Sequence, residues 1–279
     1  MMADARTRPC IFEYHQPAIS EVPVVVSAPH TGTFVPPEIK QQFASERMHE
    51  LPMTDWYVER LYDFLPTLGV HFIHARVSRL VIDLNRAPDS RPLYSGRFET
   101  GLIASRTFQG ERIFRTAPDD KETRARQRAY YEPYHQRLQE LLEDVRQRFG
   151  VVYLLDAHSV ASGPSLLHGP LGKDIYLGNR DGTTSEDWLL QFLFEQFVTH
   201  DFTVSLNDPY KGGFITAHYG QQRGVQAVQI EMCQRVYMDE DKTAGGPEYP
   251  ALAPVSGTLK KIFTALISEI SSRASGDVT

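Results

Sequence analysis

Four stretches of this chain put a chemically able side chain where an apolar run gives out: Ser27-Ala28-Pro29-His30, Ile82-Asp83-Leu84-Asn85-Arg86, Leu154-Leu155-Asp156-Ala157-His158 and Val228-Gln229-Ile230-Glu231. In open α/β sheets, ligands bind in the crevice beyond the carboxyl ends of strands. Taken singly, each stretch has a plainer explanation. A strand-end histidine is commonly a hydrogen-bonded polar tip, Glu231 could pair with Arg235, and Arg86 with Asp83 or Asp89. Together they describe a metal-assisted hydrolytic site. Zinc takes imidazole nitrogen and carboxylate oxygen, and a catalytic zinc keeps a fourth position for water. His30 and His158 supply the imidazoles. Asp55 is the best acid, although just after Pro52-Met53-Thr54 it could equally be an N-terminal helix carboxylate that complements the macrodipole. Glu231, costly to bury unless paired or metal-linked, is the candidate general base. The five-donor fork of Arg86 suits a carboxylate. Asp156, two residues before His158 on the same strand face, could hold that imidazole or satisfy buried backbone groups. The Asn207–Gly213 turn, with Lys211, Gly212 and its backbone amides, leads into a helix near Phe214 and could take an anion. His168 and His218 could border the site. No spacing selects either of them; His71 and His74 alternate imperfectly with a strand, His135 lies on a polar helix, and His49 and His200 read as surface positions.

Strands are expected at Pro23–Pro29, Val70–Ala75, Leu80–Leu84, Val151–Asp156, Asp174–Gly178, Phe202–Leu206 and Val225–Ile230. Most are continuous apolar runs, the pattern of strands buried on both faces. Helices are expected at Thr54–Leu65, at Asp119–Phe149 with Pro133 dividing it, at Thr184–Val198 with a clear amphipathic face, and at about Pro254–Ser271. The alternation predicts an α/β fold: a three-layer α/β/α domain with a mixed, mostly parallel central sheet. No internal repeat or linker divides the chain, so a single catalytic domain spans it, with its core at about 20–272. Ala87–Asp119 has no period and holds Tyr94, Ser95, Gly96 and several arginines. Such a stretch is expected to border the site.

Bulk composition excludes several classes. A net charge of −6 argues against a general nucleic-acid binder. No apolar run approaches a membrane span, and Met1–Pro9 is short and polar with no apolar h-region. Two distant cysteines, Cys10 and Cys233, read as free thiols in a reducing, cytoplasmic setting. A phosphate loop of standard spacing is absent. Cys233, next to an apolar run with no histidine nearby in sequence, reads as a buried inert thiol rather than a nucleophile.

The stretches SAPHTGTFVP, LPMTDWYVERLY, VIDLNR, LLDAHS, YLGNRDG, NDPYKGGFIT and VQAVQIEM together resemble the N-formylglutamate amidohydrolases, over about Pro23 to Tyr237. That family is similar in its core to zinc carboxypeptidases and succinylglutamate desuccinylase-like enzymes. The resemblance implies hydrolysis of N-formyl-L-glutamate to formate and L-glutamate in histidine degradation, with one Zn²⁺ on His30, Asp55 and His158 and Glu231 as base. It also implies a small substrate bearing two carboxylates. Asn85 and Arg86 would grip one, with Lys211 and Gly212 as the other candidates, Arg91 and Arg223 in reserve, and Arg79 or Arg86 facing the oxyanion. The carboxypeptidase pattern puts its acid three residues after the first histidine, where this chain has Thr33. Asp55 therefore stands in by family pattern, with Glu38 and Glu59 as fallbacks. Cleavage of another N-acyl amino acid or short peptide, or non-catalytic binding of an acidic amino-acid derivative, are the alternatives.

Overall fold

A computed structural model of the chain describes residues 10–92, 98–242, 249 and 251–276, so Tyr94, Ser95 and Gly96 lie outside the described residues. Seven described strands form one sheet: β1 Phe12–His15, β2 Val24–Ala28, β3 His71–Ala75, β4 Val152–Val160, β5 Ile175–Gly178, β6 Val204–Leu206 and β7 Val225–Cys233. Their order is β1-β3-β2-β4-β7-β5-β6. The pairs β2/β3, β2/β4, β4/β7 and β5/β6 are parallel, whereas β1/β3 and β5/β7 are antiparallel. The helices are α1 Pro37–Lys40, α2 Val58–Leu61, α3 Asp120–Arg126, α4 Glu132–Phe149, α5 Asp187–Thr199, α6 Phe214–Tyr219 and α7 Leu252–Gly276.

Because side chains alternate along a strand, each central strand feeds two cores. On one face Val25, Ile73, Leu154 and Ala227 pack with Tyr134, Leu138 and Leu142 of α4 and Ile215 and Tyr219 of α6. On the other, Val26, Phe72, Leu155 and Val228 pack with Leu61 of α2, Leu193 and Phe197 of α5, and Leu259 and Phe263 of α7. The expected three-layer arrangement with a mixed sheet is the one observed.

Four local expectations need correction. Leu80–Leu84 is not a strand. Its apolar side chains are buried, but its backbone turns, with the Val81 amide bonded to the Ser78 carbonyl and the Asp83 amide to the Leu102 carbonyl. An apolar run of this length tells of burial, not of strand geometry. Thr54–Leu65 is helical only over the single turn of α2, since Leu51 and Tyr57 adopt positive φ of 54° and 60°. Asp119 does cap α3, accepting from the Glu122 amide. However, the long helix is interrupted by a π turn at Gln127–Tyr131, and Pro133 sits harmlessly in the first turn of α4. β1 was not anticipated. Its four residues are mostly polar and lie at the edge of the sheet, where one flank has no partner strand among the described residues.

Two strands also run further than their apolar runs. β4 continues through Asp156 and His158 to Val160, and β7 through Glu231 to Cys233. The polar residues that seemed to end these strands therefore lie inside them.

Candidate metal centre and active site

Period-two alternation puts Leu154, Asp156 and His158 of β4 on the same face as Ala227, Gln229 and Glu231 of β7. In the parallel ladder Asp156 stands opposite Gln229 and His158 opposite Glu231. Two adjacent strands thus deliver a histidine and a glutamate side by side, each over a polar residue one step lower.

His30 lies two residues beyond β2. The loop that carries it can run tight against the Arg76–Val77 backbone because residue 32 is glycine. A Cβ there would lie 2.1 Å from the Val77 carbonyl oxygen. Asp55 is on the irregular stretch before α2, so it is not an N-terminal helix carboxylate. Its amide donates to the His30 carbonyl (3.1 Å), and its Oδ2 accepts from the Ser159 amide (3.1 Å). The same stretch is held from behind, with Gln234 donating to the Thr54 carbonyl and Tyr237 to the Trp56 carbonyl.

These segments bring three donor atoms together. His30 Nδ1 is 3.2 Å from His158 Nδ1, His158 Nδ1 is 3.0 Å from Asp55 Oδ2, and His30 Nδ1 is 3.7 Å from Asp55 Oδ2. All three side chains are buried. A tetrahedral zinc with ligand bonds of about 2.0–2.1 Å separates neighbouring donors by about 3.3 Å, and the observed edges bracket that value. The far sides of both rings are backed by carboxylates: His30 Nε2 meets Asp83 Oδ1 at 2.7 Å, and His158 Nε2 meets Asp156 Oδ2 at 3.1 Å. That is the outer arrangement which fixes the tautomer of a metal-bound histidine and raises its basicity.

Charge points the same way. Asp55, Asp83, Asp156 and Glu231 are all buried here, and the buried guanidinium among them is Arg79, 2.7 Å from Asp83 and 3.8 Å from Asp55. Burial opposes the Asp55 charge, but hydrogen bonds from His158 and His30 outweigh it and hold the carboxyl below its usual range. Burial likewise opposes the charge of Asp83, and Arg79 and His30 overcome it. Glu231 behaves differently: burial pushes it up to about 8, Asp55 adding to the rise while His158 and Arg79 pull against it. An acid-rich, buried pocket with two imidazoles is suited to a divalent cation. Of the fallback acids, Glu38 is exposed on α1, and Glu59 lines a different hollow.

The cavity above these atoms has a volume of about 860 Å³ including its open mouth. Glu231, Arg79, Arg86, Phe108, Tyr210 and Gly212 are among the residues that line it. Arg86 faces it half-buried, its Nε and Nη1 donating to the carbonyls of Thr100 and Asn85 rather than to Asp83 or Asp89. Asn85 also reaches the cavity, but its amide is already committed. Nδ2 contacts His158 Nε2 (2.9 Å) and Asp156 Oδ2 (3.2 Å), and Oδ1 accepts from the Ile215 amide (2.7 Å). With His158 Nε2 turned to Asp156, Asn85 donates to Asp156 and so steadies the carboxylate behind His158 rather than offering a free grip. The expected anion cradle at the start of α6 is likewise filled, since the Gly213 amide donates to Gln229 and the Ile215 amide to Asn85. Lys211 lines the cavity with its ammonium 2.6 Å from Asp181.

Sequence reasoning passed over three residues. Asp83 supports both His30 and Arg79, and its only sequence signal was a carboxylate inside an otherwise apolar run. Tyr210 lines the cavity with a buried hydroxyl that has no hydrogen-bond partner. Arg180 joins Arg86, Arg91 and His218 in an adjoining hollow. Neither Tyr210 nor Arg180 carries a spacing signal. The discounted His135 is not on a polar face. It ties α4 to the Leu80–Leu84 turn and to α6, meeting the Leu84 carbonyl at 2.8 Å and Tyr219 Oη at 2.9 Å.

Comparison with known proteins shows the family. Residues 22–238 match the family described as N-formylglutamate amidohydrolase. An N-formylglutamate deformylase of Pseudomonas putida is 36% identical over 265 residues, covering 92% of this chain and 96% of its own length. One from Pseudomonas aeruginosa is 38% identical over 224 residues, covering 78% and 83%. The crystal structure of N-formylglutamate amidohydrolase from Ralstonia eutropha JMP134 superposes with a TM-score of 0.82 at 26% identity, over 94% of this chain and 99% of that one. With the family match spanning the strands and loops that build the centre, this chain belongs to the N-formylglutamate amidohydrolase family.

Proposed function

We propose that the chain is a zinc-dependent deformylase that hydrolyses N-formyl-L-glutamate to formate and L-glutamate, a step of histidine degradation in the cytoplasm. The observation that carries the reading is the triangle of His30 Nδ1, His158 Nδ1 and Asp55 Oδ2, with a carboxylate behind each ring and Glu231 on the neighbouring strand. The names of the Pseudomonas relatives and of the Ralstonia eutropha protein support the substrate. Imidazoles with one carboxylate favour zinc over magnesium or calcium, which prefer all-oxygen sites.

A divalent ion on His30, Asp55 and His158 would supply Lewis acidity toward the formyl oxygen and lower the pKa of a water to about 7. The remaining steps fall to the protein's own groups. Glu231, made more basic by burial, takes a proton from the attacking water as its oxygen adds to the formyl carbon. It returns that proton to the glutamate nitrogen as the C–N bond breaks, so formate and a free amino group result. Asp83 and Asp156 keep the Nδ1 lone pairs of the two histidines turned inward. Arg79 balances Asp83 and Asp55 through its two terminal nitrogens and, on the cavity wall, adds positive charge near the oxyanion. Arg86 on the cavity wall offers guanidinium charge for a substrate carboxylate, with Arg180 in the adjoining hollow and Lys211, paired with Asp181, as the further cations. Phe98, Phe108 and Leu167 in the cavity wall exclude water, which strengthens each of these interactions.

The test compares N-formyl-, N-acetyl- and N-succinyl-L-glutamate with the zinc-loaded protein. One added carbon in a fitted pocket costs about 10- to 200-fold in kcat/KM, so the formyl compound should lead by at least that margin. Equal rates on all three would remove the substrate assignment, and full activity after complete metal removal would remove the metal.

A further inference from the structure

A second set of donors lies on β1 and β3 at the edge of the sheet, on the face opposite His158 and Glu231. Glu13 and His74 face each other across the antiparallel β1/β3 ladder, and His15 is two residues along from Glu13, hence on the same face. His15 Nε2 is 3.3 Å from His74 Nε2, His74 Nε2 is 3.4 Å from Glu13 Oε2, and His15 Nε2 is 3.6 Å from the same oxygen. These edges are close to equal and near the about 3.3 Å that separates neighbouring donors around a tetrahedral ion. The two imidazole planes are within 9° of each other with centroids 5.4 Å apart. With the Nε2 atoms so much nearer than the centroids, the rings meet nitrogen-first.

The surroundings prepare that geometry. Thr31 donates its hydroxyl proton to the Ala75 carbonyl (2.7 Å), so its oxygen is left to accept from His74 Nδ1 at 3.5 Å. This favours the tautomer with the Nε2 lone pair turned toward Glu13 and His15. Arg76 holds Glu13 Oε1 and so aims Oε2 at the rings. The hollow beside Glu13 and His74 is also lined by Glu59, whose buried Oε2 has no hydrogen-bond partner.

We propose that Glu13, His15 and His74 form a second divalent transition-metal site, of the zinc or cobalt class, that ties the edge strand β1 to β3. Two imidazoles and a carboxylate on rigid strands suit such an ion and not calcium or magnesium. Glu59 Oε2 is the candidate fourth donor, and Thr31 joins the site to the loop that carries His30.

Equilibrium dialysis of the metal-depleted full chain against Co²⁺, with metal counted by mass spectrometry, tests the inference. The wild-type chain is expected to bind two ions, and His15→Ala and Glu13→Gln one each. The half-exposed His15 side chain makes folding of its variant safe, and circular dichroism checks it. His158→Ala is expected to keep the edge ion, and Co²⁺ should raise the melting temperature of His158→Ala but not of His158→Ala/His15→Ala. Unchanged stoichiometry in both His15→Ala and Glu13→Gln overturns the proposal. A wild-type chain that binds one ion, lost in His15→Ala and retained in His158→Ala, upholds it while removing the catalytic metal instead.

Discussion

Replacing Glu231 by glutamine removes a charge while keeping the shape of the side chain. Its carbonyl can still accept from Gln229 Nε2, now 2.9 Å from Glu231 Oε2. Three measurements should then separate. Without a base, kcat/KM should fall by about 10²- to 10⁴-fold. Zinc content should stay at the wild-type level, because His30, Asp55 and His158 are untouched. The stability of the metal-free protein should rise at alkaline pH. Glu231 lies at about 8 against an ordinary 4.5, so the folded state holds its proton more tightly than the unfolded chain does. Its contribution is neutral below about pH 4.5, becomes steadily more unfavourable between 4.5 and 8, and levels off above. The ceiling is about 5 kcal/mol. At about 2–4 °C per kcal/mol, metal-free Glu231→Gln should melt several degrees above the wild type at pH 8.5 and level with it at pH 4.5. Rates come from formate release, stability from thermal unfolding at the two pH values. A variant with near-normal turnover, or one less stable than the wild type at pH 8.5, would refute the assignment of Glu231 as a buried, strained base.

Asp83→Asn weakens the carboxylate behind His30 and leaves the buried Arg79 without its 2.7 Å partner. Zinc affinity, measured by chelator competition, should drop about 10- to 100-fold, with about 3–5 kcal/mol lost in denaturant unfolding; unchanged affinity would show that Asp83 serves only the fold. Tyr210→Phe deletes a buried hydroxyl that lacks a partner, so unfolding should show no loss of stability. If that hydroxyl meets the substrate, KM should rise about tenfold, and an unchanged KM sinks the role. Gly213→Ala would bring a Cβ to 2.3 Å from Asn85 Nδ2, pushing Asn85 off Asp156, the carboxylate behind His158. Zinc affinity and stability should both fall, whereas a fully metal-loaded, stable variant would show that Asn85 is dispensable for holding Asp156 behind the ring.

The sheet was legible because apolar runs that are buried on both faces announce themselves. Six strands fall where Val, Ile and Leu cluster, and α5 and α7 where an amphipathic stripe repeats. The ends of the elements were less legible. The runs at Val151–Asp156 and Val225–Ile230 seemed to stop at polar residues, yet the ladder of β4 with β7 continues three or more residues further. It can do so because Asp156, His158 and Glu231 find partners in one another and in Asn85, Gln229 and Asp55. A strand residue of this kind is tolerated by its tertiary surroundings, which local sequence does not contain. For the same reason Leu80–Leu84 looked like a strand. Its burial is real, but its backbone groups are satisfied by Ser78, Leu102 and Arg126. The histidines and Glu231 were found by position. Asp55 needed the family pattern, because nothing near Thr54 says that its amide will be fixed by His30 some 25 residues earlier.

The two kinds of element divide the work of the centre. β4 and β7 set the separation of His158 and Glu231, and a ladder allows no small adjustment: a slip of one residue would turn both side chains into the opposite core. Fine placement is therefore left to the loops. Asp55 hangs from His30 and Ser159, Asp83 from Leu102, and Asn85 from Ile215, each through a backbone amide. Those amides come from different parts of the chain, so the ligand triangle can be complete only when both faces of the sheet are packed. Several buried carboxylates around one guanidinium make that state costly without a cation. On the proposed reading, ion binding and the last stage of loop ordering form one equilibrium. A change that loosens any one of these three anchors should reach the kinetics through the metal before it reaches the fold.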